Sequence, residues 1–257
     1  MPDDLRRGRR GGVETSVRTF AVWESVQALV ARREQELGRP LRVVDLGGGT
    51  GGLAVPIAAL GHHVTVVDPS PDALAALNRR AWDAGVAERV EAVQGDAATL
   101  LDVHPRGAAD LVCCHGALEY VDDPQASLQS MAAVLADGGH LSLLVAQRLA
   151  VVLAKALAGQ FAQARHALTS ADGRWGSTDP LPRRFDAEEV AGLCLGAGLQ
   201  VEDSHGVRIF SDLVPAAYVD SDADRTALLD LEQAAARHPD YAFLGQLGAT
   251  LHVLARR

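Results

Sequence analysis

Residues 43–52 join an apolar run to an acid and a cluster of glycines, and their spacing points to ligand binding. Asp45 lies within the run, and Gly47, Gly49 and Gly51 follow it in the pattern Asp-x-Gly-x-Gly-x-Gly, with Gly48 between the first two. Glycine lacks a Cβ atom, so such a segment can turn sharply and let a ligand approach its backbone closely. The pattern predicts a strand, a tight turn at a ligand and then a helix.

A second acid, Asp68, ends the apolar run at residues 64–67, about 23 residues after Asp45. In a nucleotide-binding βαβ unit, an acid at the end of the second strand accepts hydrogen bonds from ribose hydroxyls. Residues 69–72 are also typical of the start of a helix. Asp68 could therefore cap the next helix, either instead of binding a ribose or in addition to it. The glycine turn and this acid together indicate an adenosine ligand.

A third strand end, at residues 93–97, would place Asp96 and Ala97 in a polar turn beside the adenine. Dinucleotide-binding folds also use a glycine turn, but they set a pyrophosphate on it. The carboxylate of Asp45 would lie where such a phosphate site least tolerates negative charge. Asp45 instead suits a cationic ammonium group, such as the methionine end of S-adenosylmethionine, which is the cofactor that these residues predict.

Strand and helix patterns alternate along the chain, which predicts an α/β fold whose parallel sheet is covered on both faces. Predicted strands cover residues 41–46, 63–68, 90–94, 110–114, 140–146, 199–210 and 247–255. Predicted helices cover residues 15–37, a segment after 51, and residues 71–84, 124–136, 149–168, 186–195 and 225–237.

The 257 residues are enough for one large α/β domain, which we place at residues 15–257. A helical and loop insertion at residues 148–184 is a candidate lid or substrate-recognition element. Residues 1–14 are polar and rich in arginine, and we interpret them as a flexible tail. This start has no apolar segment typical of a secretory signal, so the sequence predicts a cytoplasmic protein.

The composition narrows the classes of partner. Apolar residues make up 48% of the chain, which excludes general disorder, and no apolar run approaches the ~18 residues that cross a bilayer. The three cysteines, Cys113, Cys114 and Cys194, form no metal-binding pattern and are expected to be buried, reduced thiols. We therefore expect no membrane and no metal. With a net charge of −9, any nucleic acid would have to meet a local basic patch.

The glycine motif, Asp68 and the turn at residues 93–97 resemble the three cofactor motifs of class I S-adenosylmethionine-dependent methyltransferases. Further segments resemble the tRNA 5-carboxymethoxyuridine methyltransferase family within that class, from about residue 15 to the end. These segments are Val17-Arg18 with Trp23, and residues 114–124, 206–212, 228–232, 239–241 and 251–256. The resemblance implies a Rossmann-like, doubly wound, mostly parallel seven-stranded sheet with helices on both faces and a late hairpin.

The family esterifies the carboxylate of a modified uridine at the tRNA wobble position. The resemblance implies contacts to S-adenosylmethionine from Arg18, Gly47, Gly48, Asp68, Ala97 and His115. Arg18 would pair with the methionine carboxylate, and Ala97 would act through its backbone near adenine. Arg208 is our candidate for holding the substrate carboxylate, since an arginine orients a carboxylate through two parallel hydrogen bonds.

Several alternatives stay open at this stage. His115 is either a cofactor or substrate contact or a polar residue satisfied at a strand end, and it would be a candidate base if the acceptor were a hydroxyl. Glu119 and Asp122 are candidate caps for the following helix. Trp175 and Tyr218 could stack on a base or pack the insertion. The acceptor itself could be a tRNA or a small metabolite, lipid or glycan, and a non-catalytic cofactor-binding module is a third possibility.

Overall fold

The computed structural model describes residues 20–236 and 238–257. The predicted tail at residues 1–14, the first residues of the predicted N-terminal helix and Arg18 lie outside the described residues. Within them, no helix is long and apolar enough to cross a membrane.

Seven strands form one sheet in the order β3-β2-β1-β4-β5-β7-β6. All neighbours pair in parallel except β7, which runs antiparallel to both β5 and β6. The strands are β1 (Arg42–Leu46), β2 (His63–Asp68), β3 (Val90–Gln94), β4 (Ala109–His115), β5 (Leu135–Ala146), β6 (Gln200–Val207) and β7 (Thr250–Arg256). The sheet is thus doubly wound and mostly parallel, with a late hairpin, as predicted.

Ten α-helices lie within the described residues and connect or flank these strands. They are α1 (Phe20–Leu37), α2 (Ala54–Ala59), α3 (Pro71–Asp83), α4 (Leu100–Val103), α5 (Pro124–Val134), α6 (Arg148–Leu157), α7 (Phe161–Thr169), α8 (Ala187–Gly196), α9 (Asp222–Ala236) and α10 (Ala242–Gly245).

Each face of the sheet has its own apolar core, because successive strand residues point to opposite faces. Val44 and Leu46 of β1 join a cluster with side chains of α5 and α8, whereas Val43 joins a cluster with side chains of α1, α2 and α3. Cys113 and Cys114 divide between the two clusters in the same way, and Cys194 is also buried and free. The prediction of buried, reduced thiols is confirmed.

Several predicted elements have different bounds in the structure, among them one helix and two strands. The single helix predicted at residues 149–168 is wrong, because Gly159 adopts φ +72° and separates α6 from α7. Strand β5 begins at Leu135 rather than at residue 140, and its pairing register to β4 shifts between Ala109 and Leu111. Strand β6 ends at Val207 rather than at residue 210, because Arg208 adopts φ +62° and leaves the extended conformation.

Candidate cofactor and acceptor site

The glycine turn after β1 takes a shape that other residues tolerate poorly. Gly47, Gly49 and Gly51 have φ values of +73°, +55° and +79°, in the left-handed region that favours glycine. A Cβ atom on Gly47 would lie 2.6 Å from the Cβ of Ala117, so the turn packs closely against the segment after β4. Both observations explain why this motif requires glycine, as the sequence indicated.

Asp68, at the end of β2, fastens the glycine turn. Its Oδ2 accepts a hydrogen bond from the backbone N–H of Gly49 at 2.9 Å, and its Oδ1 accepts one from Ser70 N–H at 2.9 Å. The N-cap of α3 is Ser70, whose side chain accepts from Ala73 N–H, so Asp68 itself is not that cap. Each carboxylate oxygen has two lone pairs and can accept a further bond from a ribose hydroxyl.

Asp45 lies on β1, buried beneath the turn with 2% of its surface exposed. A Cβ atom on Gly48 would come within 2.6 Å of the Asp45 Cγ atom, which shows how closely the turn covers it. Burial, and secondly the negative charge of Asp68, raise the pKa of Asp45 to about 7. Its Oδ2 has no hydrogen-bond partner among the described residues. A cation held at the turn would stabilise this carboxylate, so the site fits the ammonium end of S-adenosylmethionine.

A cavity of about 700 Å³ opens beside the turn, at the carboxyl ends of the strands. Its size is typical of a cofactor site. Four of the predicted cofactor residues line it together: Gly47, Asp68, Asp96 and Ala97. Leu46, Val67, Gly116, Tyr120, Val121, Ala126, Ser127 and Ser130 also contribute to its walls. An apolar wall with an acid at the end of β2 suits an adenosine group.

Asp96 shapes the third turn through its side chain. Its Oδ1 accepts hydrogen bonds from the backbone N–H groups of Ala98 and Thr99 and from the Thr99 hydroxyl, at 3.0, 2.9 and 3.0 Å. Hydrogen bonds from Thr99 lower the pKa of Asp96 below its usual value. The carboxylate therefore fixes the turn that brings the buried Ala97 to the cavity.

His115 ends β4, next to Cys114 and Gly116, which line the cavity. Burial lowers its pKa to about 4, so the ring is neutral at pH 7. Its Nε2 lies 2.9 Å from the Ser142 hydroxyl on β5. The structure thus places His115 beside the cavity but not among the residues that line it, and its ring is held by a hydrogen bond that the sequence did not suggest.

Arg208 lies at the same edge of the sheet but lines a different, smaller cavity of about 180 Å³. Its guanidinium forms an ion pair with Asp212 at 3.4 Å. Since β6 is three strands away from β4, roughly 14 Å separate the two strand ends. The structure does not bring Arg208 into the cavity of Asp68, and its role in holding the acceptor stays a prediction.

Two buried carboxylates near these cavities, Glu232 and Glu119, accept backbone hydrogen bonds that the sequence did not predict. Glu232 of α9 accepts from the backbone N–H groups of residues 209–211 at 2.6, 2.9 and 2.7 Å, and so holds the segment that follows Arg208. Glu119 accepts from Ala146 N–H at 2.6 Å.

The suggested capping role of Glu119 and Asp122 is wrong, because Asp123 is the N-cap of α5. Asp123 before Pro124 was the signal for that cap.

The insertion is held together by Asp179, which is buried. Its carboxylate forms an ion pair with the buried Arg184 and accepts backbone hydrogen bonds from Trp175 and Leu181 at 3.0 and 3.1 Å. The Lys155 Nζ lies 3.8 Å from the centre of the Trp175 ring, so Trp175 takes part in packing the insertion. Tyr218, by contrast, is 74% exposed.

Residues that could bind a metal do not cluster in the part of the chain described by the structure. No group of three or more His, Cys, Asp and Glu side chains is arranged there to hold an ion.

Comparison with known proteins agrees with this geometry. The family model for the methyltransferase domain matches residues 19–204. A solved structure of an S-adenosylmethionine-dependent methyltransferase from Mesorhizobium loti shares the fold, with a TM-score of 0.61 and 19% identity over 96% of this chain and 100% of that one. The chain therefore belongs to the S-adenosylmethionine-dependent methyltransferases.

Within that class, the chain is 30% identical to the tRNA 5-carboxymethoxyuridine methyltransferase of Escherichia coli strain K12, over all of this chain and 94% of the relative. A second relative is the ubiquinone biosynthesis O-methyltransferase of Xanthomonas axonopodis pv. citri, at 32% identity over 65% of each chain. The first similarity extends through β6 and α9, which line the smaller cavity together with α1.

Proposed function

We propose that this enzyme transfers the methyl group of S-adenosylmethionine to the carboxylate of a modified tRNA uridine, forming a methyl ester. The observation that carries the proposal is the similarity over the whole chain to a tRNA 5-carboxymethoxyuridine methyltransferase. The matched length includes Arg208 and the α9 segment, which lie beyond the methyltransferase family model.

The cofactor would lie along the carboxyl ends of β1, β2 and β4. Asp68 would bind the ribose, the turn with Asp96 and Ala97 would flank the adenine, and Asp45 with Gly47, Gly48 and Gly49 would bind the amino-acid end together with Arg18 and His115. The sulfonium of the bound cofactor supplies an activated methyl group with a neutral leaving group. The protein then has to align the acceptor and exclude water.

A carboxylate acceptor matches the residues near this site. It is ionised at neutral pH and needs no general base. His115, whose pKa is lowered to about 4 by burial, would be a weak base for a hydroxyl acceptor. Arg208 would orient the carboxylate by two parallel hydrogen bonds in exchange for its ion pair with Asp212.

The insertion offers an RNA a limited set of cations. Arg165 is exposed, Arg174 is partly exposed and Arg183 donates to Asp122 O at 3.4 Å on the surface, whereas Arg184 is buried against Asp179. With so few cations and a net charge of −9, the protein is expected to contact the RNA mainly around the modified nucleotide. Contacts to a long series of backbone phosphates are not favoured.

A small-molecule acceptor is the second candidate. The ubiquinone biosynthesis O-methyltransferase of Xanthomonas axonopodis pv. citri matches 65% of this chain, and the cavity around Asp68 has a largely apolar wall. On this alternative, the smaller cavity would take no part in acceptor binding.

The test is methyl transfer from labelled S-adenosylmethionine to bulk tRNA and, separately, to a small-molecule extract. The proposal predicts label in the tRNA fraction that mild base releases as methanol, and an Arg208→Ala variant that has lost most of this activity. The matched control is Arg225→Ala, which also breaks an arginine–aspartate pair, with Asp222 at 2.6 Å, on the exposed side of α9. Label confined to the extract would favour the second candidate.

A further inference from the structure

Four polar side chains, those of His115, Ser142, His252 and His205, form a row on one face of the sheet. His115, Leu144, His252 and His205 lie opposite one another across the neighbouring strands β4, β5, β7 and β6. Ser142 lies two residues before Leu144, on the same face of β5. Apolar side chains of this face pack against α1, α2 and α3, while His140 lies two residues before Ser142 and His205 Nδ1 lies 3.1 Å from Asp203 Oδ2. The row begins at the cofactor edge of β4 and ends beside the smaller cavity, which His205 lines.

The serine hydroxyl joins two of the imidazoles. Ser142 Oγ lies 2.9 Å from His115 Nε2 and 2.9 Å from His252 Nε2. Ser142 and His252 have no exposed surface, and the rings of His115 and His252 meet edge to face at 5.9 Å between centroids. His252 in turn meets His205 at 5.1 Å. These contacts fix the position of the His252 ring on both sides.

One hydroxyl has a single proton, so Ser142 can donate to only one of the two rings. The other ring must then donate its Nε2–H to the oxygen of Ser142, and the tautomers of His115 and His252 depend on each other. When Ser142 donates to His115, the His115 proton is on Nδ1. That nitrogen has no hydrogen-bond partner among the described residues, and it is the ring atom left for a ligand.

Stability alone does not account for this row. Replacing both partners of a buried hydrogen bond by apolar groups of similar shape is nearly neutral for folding. Both substrates of the proposed reaction carry a carboxylate, and an Nδ1–H donor suits a carboxylate whereas a bare nitrogen repels it. The buried carboxylate of Asp45 already serves the cationic end of the cofactor.

We propose that Ser142, seated by His252, is a positioning residue that holds His115 as its neutral Nδ1–H tautomer, so that His115 donates to a carboxylate at the cofactor edge. The choice of tautomer and of ligand rests on the proposed function, through the carboxylates of its two substrates, whereas the contacts of Ser142 with His115 and His252 do not. The residue that touches the ligand is His115, and Ser142 and His252 act through it.

The tautomer is measured by long-range ¹H–¹⁵N correlation spectra of the full chain labelled with ¹⁵N-histidine at pH 7, with His115 assigned from a His115→Gln variant. His62 is an internal reference, because its Nδ1 accepts a hydrogen bond from Leu41 N–H and its proton must lie on Nε2. We expect a protonated Nδ1 at His115 in the native protein and a mixture of tautomers in Ser142→Ala, while His62 is unchanged. An Nε2–H tautomer in the native protein, or an unchanged ring in Ser142→Ala, would overturn the proposal.

A matched pair at residue 252 separates the hydrogen bond from packing. His252→Gln keeps an amide near the position of Nε2 and should preserve a single His115 tautomer, whereas His252→Leu should release it. Calorimetry with S-adenosylhomocysteine should show about fivefold weaker binding in Ser142→Ala and His252→Leu, the effect of one ordinary hydrogen bond, and less than twofold in His252→Gln. Equal affinities in the Gln and Leu variants would reject the role of His252. Neither readout uses an acceptor, so a failed tRNA assay would refute the proposed acceptor, whereas the spectra and the calorimetry test the tautomer and the cofactor contact separately.

Discussion

Asp68 Oδ2 and the backbone N–H of Gly49 form a hydrogen bond of 2.9 Å that joins the end of β2 to the turn after β1. The same carboxylate accepts from Ser70 N–H, so one side chain fixes both the glycine turn and the start of α3. The acid expected to bind the ribose therefore also sets the shape of the turn that would bind the amino-acid end. Cofactor affinity should depend on both roles.

Replacing Asp68 by alanine should weaken binding of S-adenosylhomocysteine by at least tenfold. The change removes both the hydrogen-bond acceptor for the ribose and the acceptor that holds the Gly49 N–H in the glycine turn. The free energy of unfolding should fall by about 1–3 kcal/mol, since two backbone donors lose their acceptor. Calorimetry and urea unfolding measure the two effects. Ser70→Ala is the control: it removes the cap of α3 at a cost of about 1 kcal/mol and should leave cofactor affinity within twofold. Equal affinity loss in both variants would contradict this assignment.

Asp45 should make the ligand-free protein less stable as the pH rises. Burial raises its pKa to about 7 in the folded state, above the ordinary value of 3.8, so the favourable contribution present below pH 4 is lost as the pH rises through 7. Asp45→Asn should therefore raise the free energy of unfolding at pH 8, by up to roughly 4 kcal/mol. Urea unfolding of both proteins at pH 5 and pH 8 tests this, and the gain should be much smaller at pH 5.

The same Asp45→Asn variant should bind S-adenosylhomocysteine more weakly than the native enzyme. Only the ionised carboxylate attracts the ammonium group, so native affinity should increase between pH 6 and pH 8 and the variant should not follow it. A variant that is both more stable and equally tight in binding would show that Asp45 has no role at the cofactor.

Replacing Arg208 by glycine should weaken acceptor binding without lowering the stability of the fold. Its φ of +62° is strained for any residue with a Cβ, so Arg208→Gly should stabilise the fold or leave it unchanged, within about 1 kcal/mol. The same change removes the guanidinium and should raise KM for the acceptor at least tenfold, while the affinity for S-adenosylhomocysteine is kept. Thermal unfolding, calorimetry and steady-state kinetics separate these effects. An unchanged KM would remove Arg208 from the acceptor site.

The rate at saturating cofactor should show no ionisation of His115 between pH 6 and pH 8. Burial lowers the pKa of His115 to about 4, well below the ordinary histidine value of 6.5, so protonation is complete only in acid. The contribution of this ring to stability is present above pH 6.5 and is lost as the pH falls toward 4. A kcat that rises with pH and levels off within this range, and no longer does so in His115→Gln, would indicate a general base and a hydroxyl acceptor.

Much of the cofactor half of the molecule could be predicted from sequence, because its signals are local. Strands β2 and β3 have the predicted bounds, and each is bordered by turn or helix-start residues. The glycine turn and Asp68 follow from residue types at fixed spacing, and the strand order then brings them to the same edge.

The other half depends on contacts between distant residues. Ser142 contacts His115 and His252 only because β5 pairs with β4 and β7. The spacing of these residues along the chain does not predict the contact. The end of β6 was missed for a similar reason: Glu232, more than 20 residues away, takes the backbone N–H groups that would otherwise continue the strand. Gly159 was a signal for the break between α6 and α7, since glycine commonly ends helices. The alanine-rich composition on both sides instead favoured the prediction of one continuous helix.

The most direct measurement is nucleoside mass spectrometry of tRNA that carries 5-carboxymethoxyuridine, before and after incubation with the enzyme and S-adenosylmethionine. The account predicts that the carboxyl nucleoside is replaced by a species heavier by one methylene, and that mild base restores the original. If the carboxyl nucleoside remains while the enzyme methylates another nucleoside or a small hydroxyl compound, the proposed ester-forming reaction is contradicted.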